Sequence, residues 1–268
     1  MVRLTSVGAR TGAHSILAAL LAGAGLSAFG ALAACSKPFT MITEEWPPYV
    51  YQDSTETRVG MDIELVRAIF QEAGCTLVEE APVPSARRLL LFQQGKFDLM
   101  LAASNTPERR RFANFSIPYR HESVALYALR EDGPAYRAID SFDATLKRGL
   151  SLLAPRTGWY GPDFARTQAA FRAGGMLYEF ENNSQGVRML SAGRAKLMMG
   201  DTAAVEYEAR QQKVALVRLP FVVLSAPVHL MLSKSSTTSE DRAQLDAAIG
   251  RLEKSGVLRA IRQRYGAP

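Results

Sequence analysis

Gly95-Lys96-Phe97-Asp98-Leu99-Met100-Leu101 returns about 100 residues later as Gly193-Arg194-Ala195-Lys196-Leu197-Met198-Met199. In each copy a glycine closes an amphipathic helix, and a short apolar run reads as a buried strand. The recurrence implies a chain that builds one unit twice. Outward from the first copy, strands read at 39–43, 76–78 and 97–103. Between them lie a helix capped by Asp62, with Leu65, Val66, Ile69, Phe70 and Ala73 on one face and Gly74 at its end, and a helix capped by Ser85 that stops at Gly95. Outward from the second copy, strands read at 150–153, 176–180 and 196–199, with helices at 162–172 and 184–192. Strand and helix alternate, the pattern of a doubly wound α/β sheet.

The connections are legible too. Residues 121–129 are an apolar extended run that ends in Arg130-Glu131-Asp132-Gly133-Pro134, a boundary turn, and 214–223 with 228–232 bring the chain back. Thr237 with Glu240 reads as a capping box opening a helix with Leu245, Ile249 and Leu252 on one face and Gly256 at its end. A last helix carries Leu258, Ile261 and Tyr265. The expectation is an α/β protein of two lobes, each a doubly wound sheet. Residues 36–126 and 227–268 form lobe 1, 127–226 form lobe 2, and two hinge segments join them.

With 47% hydrophobic and 22% charged residues, the 268-residue chain is globular rather than disordered. Two cysteines exclude a disulfide scaffold, and no His/Cys cluster suggests a metal or other cofactor. Cys75, just after Gly74, reads as a small buried hydrophobe. The net charge of +6 is spread along the chain. Arg109-Arg110-Arg111 is flanked by Glu108 and Phe112 without the basic stripe that a nucleic-acid groove needs, so no nucleic-acid partner is expected. At the N-terminus, Arg3 and Arg10 precede an uncharged apolar stretch at 15–29. Leu32-Ala33-Ala34-Cys35, which closes it, resembles a bacterial lipobox. That resemblance implies a signal peptide at 1–34 and a lipid on Cys35. A membrane-spanning or core helix is the alternative, which Gly23, Gly25 and Gly30 weaken.

In doubly wound sheets ligands bind beyond the carboxyl ends of the strands. Those ends carry Glu44-Glu45-Trp46-Pro47-Pro48-Tyr49, Ser104-Asn105-Thr106-Pro107-Glu108-Arg109, Ala154-Pro155-Arg156-Thr157-Gly158-Trp159 and Asp201-Thr202, which converge on one cleft.

The order Trp46-Pro47-Pro48-Tyr49, Val59-Gly60-Met61-Asp62-Ile63-Glu64-Leu65, Gly95 to Met100, Thr106-Pro107-Glu108-Arg109 and Phe115-Ser116-Ile117-Pro118-Tyr119 resembles the bacterial extracellular solute-binding proteins of family 3. These are the substrate-binding proteins of polar amino-acid ABC transporters. The likeness continues through Gly193-Arg194 and Asp201 to Ser255-Gly256 and Arg264-Tyr265. It implies the type II periplasmic binding protein fold. It also implies a monomeric periplasmic lipoprotein, anchored to the membrane through Cys35, that delivers an amino acid or related small carboxylate to an inner-membrane ABC permease. Arg109 would hold the ligand's α-carboxylate through a guanidinium fork, and Ser104 and Thr106 would add donors. Asp201 would meet the α-ammonium, or cap the helix at Thr202. Glu45 is carried as a further ligand-binding residue. Trp46 and Tyr49, with Tyr51, would form an aromatic wall, and Thr157 with the main chain of Gly158 would close from lobe 2. Arg156 and Trp159 depart from the pattern; an arginine there facing the cleft would favour an acidic ligand. Arg110 and Arg111 read as surface, His121 and His229 as structural.

Binding without turnover is expected, not catalysis. Two alternatives use the same fold. One is a cleft enzyme of the cyclohexadienyl dehydratase type, for which Glu44, Glu45 and Asp201 are the obvious carboxylates. The other is a ligand-sensing module for a partner that does not transport.

Overall fold

Buried Phe39 and Met41 alternate with half-buried Thr40 and Ile42 to make β1 (Phe39–Ile42), the inner strand of the first parallel set in a computed structural model that describes residues 35–267. The expected signal peptide lies outside the described residues. A small hairpin, β2 (Tyr51–Gln52) and β3 (Arg58–Val59), precedes α1 (Met61–Ala73), whose Ile63, Val66, Ile69 and Phe70 face the core and which Gly74 ends in the left-handed conformation. β4 (Leu77–Glu80), α2 (Ser85–Gln93) and β5 (Leu99–Ala103) complete the first set. A long strand, β6 (Ala113–Leu129), then leads through α3 (Gly133–Tyr136) and α4 (Phe142–Lys147) to β7 (Leu152–Pro155), α5 (Pro162–Ala173), β8 (Leu177–Phe180), α6 (Asn183–Ser191), β9 (Leu197–Asp201) and α7 (Thr202–Gln211). The long β10 (Leu216–Ser233) returns to α8 (Ser239–Ser255) and α9 (Val257–Arg264).

The strand order is β4-β1-β5-β10-β6-β9-β7-β8, with β10 and β6 an antiparallel ribbon at the centre. The two echoed strands are β5 and β9, and they occupy equivalent places. β5 pairs with β10 through Leu99 and Leu232, while β9 pairs with β6 through Met199 and Leu126. Outward from each lies the same order of two further parallel strands. Two separate sheets were the expectation. Hydrogen bonding is instead continuous, because β6 and β10 are long enough, at 17 and 18 residues, to serve both halves in turn. One core gathers Phe39, Ile69, Leu99, Tyr119, Leu230 and Ile249, and another gathers Leu126, Phe142, Leu152, Phe171 and Leu197.

Three caps differ from expectation. Gly60 caps α1, with φ of 122°, and a side chain there would lie 2.3 Å from the Tyr49 carbonyl oxygen. Asp62 sits in the first turn and is fully buried for another purpose, described below. Pro84, not Ser85, precedes the first turn of α2. The capping box of α8 falls one residue later than expected, on Thr238 and Asp241, because the Thr237 hydroxyl is spent on the Ser233 carbonyl.

The cysteines overturn one reading and bear on a second. Cys35 and Cys75 are joined in a disulfide, with Cα atoms 5.1 Å apart, so Cys75 is not a free hydrophobe. A sulfur in a disulfide cannot also carry a thioether-linked lipid, so this pairing and the lipid expected on Cys35 exclude one another. Two observations are expected of protein that carries this disulfide. Intact mass under non-reducing conditions should show neither a diacylglyceryl adduct nor a reactive thiol. Reduction of this 40-residue closure should cost on the order of 4 kcal/mol of stability. Detection of lipid on Cys35 would overturn the pairing.

Candidate functional site

Loops at the carboxyl ends of β1, β5, β7 and β9 surround a cavity of about 240 Å³, small for a ligand site and suited to one metabolite-sized molecule. The loop after β1 is fixed to the first turn of α1: Met61 N–H donates to the Pro48 carbonyl and Asp62 N–H to that of Tyr49, each at 3.0 Å. This is why the Trp46-Pro47-Pro48-Tyr49 and Gly60-Met61-Asp62 motifs work as a pair. Beneath them Arg120 of β6 and Asp62 form a bidentate ion pair, Nε to Oδ1 at 2.6 Å and Nη2 to Oδ2 at 2.8 Å, with both side chains fully buried. The guanidinium carbon of Arg120 lies 4.1 Å from the Tyr49 ring centroid and 5.6 Å from that of Trp46. A buried cation, neutralised from below, thus carries the aromatic floor.

Asp201 performs the capping job with one oxygen and leaves the other open to the cleft. Oδ1 accepts from the Ala204 N–H at 3.0 Å, capping α7, and from the Tyr49 hydroxyl at 2.8 Å. Oδ2 is buried on the cleft wall without a hydrogen-bond partner. Burial raises the Asp201 pKa, against the opposing pull of Arg120. An acceptor left open in this way is matched by an N–H donor on a ligand. Across the cavity, Arg109 is half-buried; its Nη1 donates to the Ser104 carbonyl at 3.1 Å, and it forms no ion pair among the described residues. Burial lowers its pKa, with Glu122, Tyr160 and Glu108 acting the other way.

Of the residues expected at the site, Arg109, Ser104, Asp201, Trp46, Glu45 and Thr157 line the cavity, as does Gly158. Two do not. Tyr49 is buried under Trp46, its ring 4.5 Å from the indole, and reaches the site only through its hydroxyl on Asp201. Thr106 is buried behind the wall, where its Oγ1 accepts from the Arg109 N–H at 3.4 Å. Tyr51 stacks instead on Tyr207, 6.0 Å between centroids. Arg156 is exposed and ion-paired with Glu181, which removes the reason to expect an acidic ligand; Trp159 does line the cavity. His121 is exposed, and His229 Nδ1 bonds the Ser116 carbonyl, both away from the cavity. Among the described residues, no group of three or more His, Cys, Asp or Glu side chains is placed to hold a metal ion.

Several site residues escaped the sequence reading. Tyr160 donates to the Thr157 carbonyl at 2.9 Å and packs so closely on Gly158, φ 124°, that a side chain there would meet its hydroxyl at 2.5 Å. Arg88 of α2 lines the cavity paired with Glu44 at 2.7 Å. Glu122 of β6 also lines it, and burial pushes its carboxyl up to about 7 despite Arg120. Glu122 was detectable in principle: Arg120, Glu122 and Val124 alternate along a strand, so they share one face.

The model of the bacterial extracellular solute-binding proteins, family 3, matches residues 40–268. The chain belongs to that family. As a family-3 solute-binding protein it is a binding protein and not an enzyme. The amino-acid-binding protein AabA of Dichelobacter nodosus is 22% identical over 244 residues, 89% of this chain and 92% of that one. A probable amino-acid ABC transporter-binding protein of Haemophilus influenzae is 24% identical over 161 residues, 60% and 58% of the two chains. An ancestral arginine-binding protein bound to arginine superposes with a TM-score of 0.72 at 21% identity, over 85% of this chain and 97% of that one. The fold is accordingly the type II periplasmic binding protein fold, as the family-3 motifs implied.

Proposed function

We propose that this protein captures one amino-acid zwitterion in the cleft, closes over it, and hands it to an ABC permease in the membrane. The observation that carries this reading is the pairing of Arg109, with most of its guanidinium donors unused, and the orphaned Asp201 Oδ2 on walls of one cavity. The α-carboxylate meets the first and the α-ammonium the second. Ser104 supports the carboxylate from one side, and Thr157 with Gly158 from the other. Trp46 packs against the ligand body; Tyr49 and Thr106 hold Asp201 and Arg109 in place. The hinges lie where β6 and β10 pass between the two cores, near Glu122 and Ala226, which pair across the ribbon. Because ligand alone bridges Arg109 and Asp201, the closed form is populated in proportion to occupancy. The names of the two curated relatives support both an amino-acid ligand and a permease partner. The mature protein acts in the periplasm, where either a lipid on Cys35 or its bond to Cys75 can be present, but not both.

A thermal-shift screen of the common amino acids tests the proposal. At a hundredfold excess over Kd a true ligand adds about 2.7 kcal/mol, raising Tm by roughly 5–10 °C for a chain of this size. If no amino acid raises Tm, the receptor assignment fails.

A further inference from the structure

We infer that Glu122 is an additional ligand-binding residue that selects an amino acid with a positively charged side chain. The inference rests on the zwitterion reading above and extends it by a count of charges on the cleft wall. Glu44 is paired with Arg88, Glu45 with Arg58, and Glu181 with Arg156. Three charged groups on the wall have no ion pair among the described residues: Arg109, Asp201 and Glu122. A zwitterion satisfies Arg109 and Asp201 and leaves one carboxylate over. Glu122 is half-buried and has no hydrogen-bond partner or ion pair among the described residues. A ligand bearing a second cation balances the site; a neutral side chain leaves Glu122 to be desolvated on closure as an unpaired anion, or to be protonated.

The groups facing Glu122 set how this is read out. Arg120 lies on its own strand, Asp62 on α1, Arg109 follows β5, Asp201 ends β9, and the Tyr160 hydroxyl comes from the loop after β7. The two carboxylates and burial oppose ionisation, the two arginines favour it, and the balance leaves Glu122 titrating at about 7 in the empty cleft. A cationic side chain binds the ionised form. Its affinity therefore rises with pH through this range, on the order of tenfold from pH 6 to pH 8, as the ionised fraction climbs from about one-tenth to nine-tenths. A neutral side chain gains nothing from ionisation and shows a flat or falling profile.

Isothermal titration of the mature protein with arginine, lysine, citrulline and glutamate at pH 6, 7 and 8 tests the inference, alongside Glu122→Gln. Citrulline matches arginine in length and lacks its charge. The expected result is arginine or lysine binding at least about tenfold more tightly than citrulline at pH 8, with affinity rising with pH. Glu122→Gln should flatten that rise and shrink the preference to within about threefold, while its own melting temperature shows it folded. Equal binding of citrulline, preference for glutamate, or a pH slope that survives Glu122→Gln overturns the inference while leaving the zwitterion reading intact. Failure of every amino acid to bind overturns both.

Discussion

Replacing Arg109 with alanine is expected to abolish amino-acid binding while leaving the fold unaffected. Two charge-assisted hydrogen bonds to a sheltered carboxylate contribute about 1.5–3 kcal/mol each, so the loss in affinity is on the order of 10²- to 10⁴-fold. The fold is spared because, among the described residues, the side chain makes one hydrogen bond, to the Ser104 carbonyl, and no ion pair. Arg109→Lys keeps the charge but not the planar fork, and should fall between alanine and wild type. Calorimetric titration with the ligand found by thermal shift reads the effect directly. Binding by Arg109→Ala within threefold of wild type would remove the chemical basis of the receptor assignment.

The largest stability effect is expected at the ion pair beneath the aromatic floor. Asp62→Ala strands the Arg120 guanidinium, fully buried, without its counter-charge, and breaking such a pair from one side costs about 3–5 kcal/mol. For a chain of this length that lowers Tm by roughly 6–20 °C. The double replacement Asp62→Leu with Arg120→Met should recover most of the loss, since neither charge then remains buried. Scanning calorimetry on the two variants separates the cases; a single-site cost below about 1 kcal/mol would show that water reaches Arg120 in the folded protein. Ligand affinity should weaken in the double variant, because Trp46 and Tyr49 then lose the cation on which they rest.

Much of this architecture could be read along the chain. The Gly95 and Gly193 segments marked β5 and β9, which do occupy matching positions beside the central ribbon. Gly74 and Gly256 end their helices in the left-handed conformation because no other residue adopts it without strain. The loops that line the cavity followed from the strand ends, since a doubly wound sheet always opens there. What stayed hidden was pairing across long distances. Asp62 in the first turn of a helix looks like any acidic residue stabilised by the helix dipole, and only folding brings it to Arg120, 58 residues away. Cys75 gave no hint of its partner, and Arg156 could not be told from a cleft residue until Glu181 was seen beside it.

Local stereochemistry and apolar periodicity act over a few residues, and so the sequence by itself determined the elements, their order, the duplicated unit and the loops that carry the chemistry. Which charges cancel one another depends on the burial and approach of side chains from distant segments. Only the tertiary structure decided that Arg88, Arg120 and Arg156 are neutralised within the protein, that Asp201 keeps one oxygen open, and that Glu122 stands unpaired in the cleft.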